Sequence, residues 1–239
     1  MIPLRDSVAV NRWPVVTWLL IAINVWVFLD ELLLGPALEA FIRTWAFIPA
    51  RYFALGEMNP GDWAGRYLPI FTSMFLHGGW LHLLGNMVYL WIFGDNVEDR
   101  LGHVRYLIFY LVTGVGAALV HAHLAPDSTL PTVGASGAIS GVLGAYFVLF
   151  PHARVYTLVP WVFIFLGVIE IPATVYLGLW FLMQVLNGAV GLAAPMEAAG
   201  GGVAWWAHIG GFVMGMAVAA LLRARRPQER PWRPEYAPW

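Results

Sequence analysis

Six stretches of this chain, at about residues 15–34, 77–93, 106–125, 137–150, 172–192 and 203–222, are so poor in charge that they dictate the solvent in which it folds. A hydrocarbon core about 30 Å thick takes roughly twenty apolar residues of helix, and most of the stretches have that length. Nothing in lipid can hydrogen-bond an exposed backbone amide, so each stretch must satisfy its own backbone, which selects the α-helix. Composition agrees: 60% of residues are hydrophobic, 11% are charged and the mean hydropathy is +0.69. Ordinary soluble domains hold about 45–50% and about 25%. The expected fold is an all-α polytopic membrane protein, a bundle of six transmembrane helices surrounded by the lipid bilayer.

All thirteen basic residues are arginine, and they are unevenly placed. Ten lie in the N-terminal arm (Arg5, Arg12), the 94–105 loop (Arg100, Arg105), the 151–157 loop (Arg154) and the tail (Arg223, Arg225, Arg226, Arg230, Arg233). With six spans these segments share one side, and the positive-inside tendency puts both termini in the cytoplasm. The first apolar run has no small-residue cleavage site and reads as an anchor helix. No mitochondrial-type presequence is visible, so a prokaryotic cell membrane is the expected location. The simplest assignment is a single domain over residues 1–239, with a short cytoplasmic arm at about 1–13 and an arginine-rich tail at about 223–239.

The chain has no cysteine, which excludes a disulfide framework, a thiolate nucleophile and a cysteine-ligated metal. His121 and His123 are two apart and no His-Glu-x-x-His motif exists, so no metal or other cofactor is expected. Asp95 has no intramembrane partner with which to form an aspartic pair. No nucleic-acid partner is expected, and oligomeric state is left open. The long first loop, roughly 36–76, carries Arg43, Arg51 and Arg66 among Trp45, Phe47, Tyr52, Phe53, Trp63 and Tyr67. It is too aromatic for a free linker and reads as a structural loop lying in the membrane interface. The 155–170 segment, interrupted by Pro160 and rich in β-branched and aromatic residues, is not a span. Glu170 before Pro172 reads as the N-terminal cap of the fifth helix.

The fourth run is too short to cross. Fourteen residues at about 1.5 Å each cover roughly 21 Å. Pro151, His152 and Arg154 pin its inner end, so its outer end, in Gly134-Ala135-Ser136-Gly137, should lie about 10 Å below the outer surface. The same rise puts His208 of the sixth helix at roughly 8 Å and His82 of the second at roughly 13 Å, with Asn86 one turn deeper on the same face. Polar side chains from three helices thus meet in one layer, where an ionisable residue is a functional hypothesis by default. Gly137 with Gly141, and Gly211 with Gly215, form small stripes that permit close backbone approach, so the fourth and sixth helices should touch.

A serine hydroxyl needs a base within hydrogen-bond reach. His208 can serve Ser136 in that role. No acid occupies a plausible third position, since Asp95, Glu98 and Asp99 belong to the inner loop and Asp127 to an outer one, so a Ser-His dyad is expected. His82 and Asn86, with the backbone N–H groups of Ser136 and Ala135, can supply donors for the oxyanion formed by attack on a peptide carbonyl.

These residues resemble the rhomboid family of intramembrane serine proteases, in its prokaryotic six-helix type. The resemblance covers most of the chain. It rests on Gly134-Ala135-Ser136-Gly137, on His77 with His82 and Asn86, on Ala207-His208 followed by Gly211 and Gly215, and on six spans. It implies Ser136 as nucleophile, His208 as general base, and an oxyanion hole from His82, Asn86 and the Ser136 backbone. It also implies a structural role for His77 and lateral entry of a transmembrane substrate past the fifth helix and the outer loops. Two positions depart from the pattern. Ser140 stands where some members carry a tyrosine that stacks on the histidine, and Trp63 and Arg66 are separated where others have an adjacent pair.

The function expected is hydrolysis of peptide bonds in or near the transmembrane helices of membrane-protein substrates. A catalytically silent relative that binds transmembrane clients is the alternative, and it would not need the dyad. A transporter is a third class. Against it, the halves of the chain do not obviously repeat and charged midplane residues are lacking.

Overall fold

A computed structural model of the chain describes residues 1–161, 164–193 and 203–224. The small-residue loop expected at 194–202 and the tail arginines from Arg225 onward lie outside the described residues. The elements run β1 (Ile2–Asp6), α1 (Val15–Leu33), α2 (Leu38–Trp45), α3 (Pro49–Met58), α4 (Trp63–Thr72), α5 (Trp80–Leu101), α6 (His103–Leu124), α7 (Ser136–Leu149), β2 (Arg154–Trp161), β3 (Ile164–Pro172), α8 (Ala173–Ala193) and α9 (Trp205–Ala224). The protein is therefore mostly a helical bundle, with each of the six apolar stretches forming one helix. Among the described residues, α1, α6, α8 and α9 are long and apolar enough to cross a membrane. Helix α5 has the length but ends in Asp95, Glu98, Asp99 and Arg100, and α7 is the short helix, fourteen residues long.

The bundle is built around α7. Tyr146, Leu143 and Val142 of this helix are fully buried, packed among Phe93 and Leu90 of α5, Tyr106 and Tyr110 of α6, Leu177 of α8 and Phe212 of α9. Helices α7 and α9 meet backbone to backbone. A Cβ on Gly215 would lie 2.0 Å from the Gly141 carbonyl oxygen, and one on Gly211 2.1 Å from that of Gly137. No side chain fits at that separation, so the two small stripes are required by the contact they form.

On the arginine-rich side the structure differs from expectation in three ways. The 94–105 segment is not a loop: α5 runs to Leu101 and α6 starts at His103, with Gly102 alone between them at φ 81°. Glu98, carried on that extra length, accepts hydrogen bonds from the backbone N–H groups of Val16 and Thr17 at 2.8 and 2.7 Å and from the Thr17 hydroxyl at 2.7 Å. It caps α1, whose first-turn amides have no partner in their own helix. The N-terminal arm is likewise not free, because β1 pairs antiparallel with β2, which pairs antiparallel with β3. The β-branched and aromatic residues of 154–172 thus express their strand propensity, and Pro160, which has no N–H to donate, lies at the register shift. Glu170 is consequently not a helix cap. It lies in β3 opposite Tyr156, with its carboxylate 3.8 Å from Arg154, and α8 begins after Pro172.

The first loop is three short α-helices flanked by single 3-10 turns at Gly35–Ala37 and Ser73–Phe75. Phe47 and Ile70 bury against Ala118 and Ala122 of α6, with Tyr52, Phe53 and Tyr67 packed around them. The Arg66 guanidinium lies 4.7 Å from the Tyr52 ring centre and 5.1 Å from that of Tyr67. Asp62 caps α4 by accepting from the Gly65 amide at 2.8 Å. The loop thereby has its own small core on the outer half of α6, which keeps it over the end of the bundle where α7 starts.

Candidate active site

Ser136 is the first residue of α7, reached through Gly134 at φ +118° and Ala135 in the αR region. Its hydroxyl lies 2.8 Å from Nε2 of His208, on the first turn of α9. The α7–α9 backbone contact sets that distance, since Gly211 is one turn along α9 from His208 and meets Gly137, next to the serine. Both side chains line a cavity of about 650 Å³, together with His82, Asn86, Gly134, Ala204 and Ala207.

The remaining polar residues are arranged around Gly134. Its amide donates to the Ser73 carbonyl at 2.8 Å, and a Cβ placed on it would lie 2.6 Å from Nε2 of His82 and 3.4 Å from Nδ2 of Asn86. His82 Nδ1 accepts from the Gly78 amide at 3.3 Å, so the ring proton belongs on Nε2, the nitrogen beside Gly134. Asn86 Nδ2 donates to His77 Nε2 at 3.0 Å, which leaves its second N–H for another acceptor. The backbone N–H groups of Ser136 and its neighbours at the start of α7 lack partners within the helix, as at every helix N-terminus, and they carry the positive end of the helix dipole.

His77 is buried and stands just before α5 rather than within it. Its Nδ1 bonds the Phe75 carbonyl at 3.3 Å, and its backbone N–H donates to the Glu31 carboxylate of α1 at 3.2 Å. It therefore ties α1, the end of the first loop and Asn86 together without facing Ser136. Of the residues singled out in the sequence, Ser136, His208, His82, Asn86 and Gly134 meet at the cavity. Gly137, Gly211 and Gly215 lie in the α7–α9 contact, and His77 supports from behind. His123, near the end of α6, bonds the Leu119 carbonyl of its own helix, whereas His121 lies within electrostatic range of His208.

Three residues around His208 escaped the sequence reading. Gln184 of α8 places Oε1 2.8 Å from His208 Nδ1. The Trp180 ring lies 6.0 Å from the imidazole at 35°, and the Trp205 ring 6.2 Å away at 90°. The imidazole is thus held by α8 and by its own helix, and no aromatic at position 140 is needed. The Ser140 hydroxyl donates instead to the Ser136 carbonyl at 2.6 Å. A polar side chain at mid-run in the fifth apolar stretch was the available signal for Gln184.

The fold and this constellation define a polytopic membrane protein with a cavity inside its bundle onto which a few polar side chains converge. A model of the Rhomboid domain matches residues 64–225. The chain is 30% identical over 210 residues to RHOMBOID-like protein 5 of Arabidopsis thaliana, covering 87% of this chain and 58% of that protein. It is 31% identical over 203 residues to Rhomboid protein 1, mitochondrial, of Saccharomyces cerevisiae, covering 82% and 50%. The chain belongs to the rhomboid family. It spans between half and three-fifths of the length of these two curated relatives. They come from a plant and a yeast, so the likeness supports a multi-pass membrane protein and gives no support to a prokaryotic location.

Proposed function

We propose that this protein is an intramembrane serine endopeptidase that hydrolyses peptide bonds in or near the transmembrane helices of other membrane proteins. The observation that carries this reading is the 2.8 Å approach of the Ser136 hydroxyl to His208 Nε2 in a cavity that His82 and Asn86 also line, within an apolar bundle. As Ser136 Oγ bonds to a peptide carbonyl carbon, its proton passes to His208 Nε2. The carbonyl oxygen becomes an oxyanion, for which His82 Nε2–H, the spare Asn86 N–H and the backbone amides of Ser136 and Ala135 are the donors. Collapse breaks the C–N bond, and the imidazolium returns its proton to the leaving amine. Water then repeats the attack on the acyl-serine, with His208 again taking the proton; collapse breaks the bond to Ser136 Oγ, which recovers that proton from the imidazolium as the new carboxyl end is released. The donors act away from bulk water, where such interactions are strongest.

The residues forming this unit are taken as one domain. Its arginine-rich face, carrying the sheet and the described end of α9, is directed to the cytoplasm, and the cavity opens toward the opposite face. A substrate helix would be cut near that outer edge, where small residues and helix breakers ease its unwinding into the cavity.

Purified protein in liposomes, mixed with a panel of single-span substrates, should cleave at least one of them, and Ser136→Ala and His208→Ala should not. A fluorophosphonate probe should label Ser136. A well-folded protein that neither cleaves nor labels would instead be a silent binder of transmembrane clients.

A further inference from the structure

We infer that Gln184 is a positioning residue for His208, completing a Ser136–His208–Gln184 array in which a neutral amide takes the place of an acid. The inference rests on the serine-protease reading above and specifies how its base is set. His208 Nδ1 is 2.8 Å from Gln184 Oε1, and Gln184 Nε2 donates to the Trp180 carbonyl at 3.1 Å, one turn back along α8. That second bond decides which way the amide points, because a carbonyl can only accept and so requires the NH2 group on its side. The oxygen is then the atom facing the ring.

An oxygen acceptor at Nδ1 requires that Nδ1 carry the proton. Nε2 is left with its lone pair directed at the Ser136 hydroxyl, 2.8 Å away, which is the tautomer a general base needs. A single backbone carbonyl of α8 thus sets the direction of every hydrogen bond through to the nucleophile. Gln184 is itself buried. An ionised carboxylate there would be costly inside the bundle, whereas the amide offers an acceptor oxygen without a charge, and its other end is satisfied by its own helix. Ser136 and His208 ride on helices locked through glycines, but Gln184 rides on α8, so alignment of the base depends on how α8 is seated against α9.

The test uses the full chain in liposomes with a cleaved single-span substrate, comparing Gln184→Leu and Gln184→Glu with the wild type. Glutamate keeps an oxygen toward His208 whether ionised or neutral, and in its neutral form its hydroxyl can replace the donor to Trp180. Gln184→Leu should lower kcat about tenfold to a hundredfold with KM nearly unchanged, the pattern of a group that acts through the base rather than in substrate binding. Gln184→Glu should recover most of the rate. In protein carrying 15N-labelled histidine, the His208 resonances should report a protonated Nδ1 in the wild type and a mixture of tautomers in Gln184→Leu. Unchanged kcat and tautomer in Gln184→Leu would overturn the assignment, as would equal losses in both variants, which would indicate packing alone. Cleavage persisting in His208→Ala would overturn the serine-protease reading itself, a result separable from either of these.

Discussion

At Gly134 two requirements fall on one residue. Its φ of +118° is a conformation that residues with a side chain rarely adopt, and the space a Cβ would take lies 2.6 Å from His82 Nε2. Gly134→Ala must therefore strain the backbone, at a cost of about 1–3 kcal/mol, or push His82 from its place. Because His82 is assigned to the oxyanion, turnover of a single-span substrate should fall by about a hundredfold, the usual cost of losing one such donor. Turnover within twofold of wild type would remove His82 from that role. The glycine's identity is plain in the sequence, but its reason is not, since the histidine that needs the space is fifty-two positions away. Gln184 teaches the same lesson. It stands twenty-four residues from His208, and only the packing of α8 on α9 brings Oε1 to Nδ1.

Among the elements, β1 is the one whose attachment should respond to pH. Asp6 at its end accepts a short hydrogen bond from the Tyr146 hydroxyl and another from Asn96 Nδ2 at 2.9 Å, so it fastens the strand to α7 and α5. Burial raises its carboxyl to about 6, outweighing the opposing effect of the Tyr146 hydrogen bond. A folded value above the unfolded one means that the folded state holds the proton more tightly. Docking of β1 is then strongest below about pH 4 and weakens as pH rises through about 6, by on the order of 3 kcal/mol at most. Amide exchange of residues 2–6, corrected for intrinsic rates, should show more opening at pH 8 than at pH 5, and Asp6→Asn should flatten that difference. Equal protection at both values would mean that Asp6 stays charged when docked. The pairing partner of β1 lies some 150 residues away in sequence, and the strand is short, so nothing local could have announced it. In contrast, 155–170 carried visible strand character, and it lacked only the information of what it would pair with.

Over the whole molecule, Arg100, Arg105 and Arg154 lie at the end of the bundle opposite the cavity, at the end of α5, the start of α6 and the start of β2, which turns orientation into a labelling experiment. The chain has no cysteine, so single replacements report cleanly. In intact cells a membrane-impermeant maleimide should label Asp127→Cys, in the segment between α6 and α7. It should label His152→Cys, between α7 and β2, only after permeabilisation. The reverse pattern would invert the orientation. The six helices were legible in the sequence, five of them to within a few residues and α5 with its last eight residues missed. Solvation in lipid is a local demand that each apolar segment meets with its own side chains and backbone, whereas the charged end of α5 lies outside that demand. Ser136, His208, His82 and Asn86 were legible too, since polar residues are rare enough in such runs that depth alone aligns them. The sheet, the capping of α1 by Glu98 and the support of His208 by Gln184 were decided only by tertiary structure. Each is a hydrogen bond or register between segments distant in sequence, and the side chains that make them have many possible partners until packing leaves one.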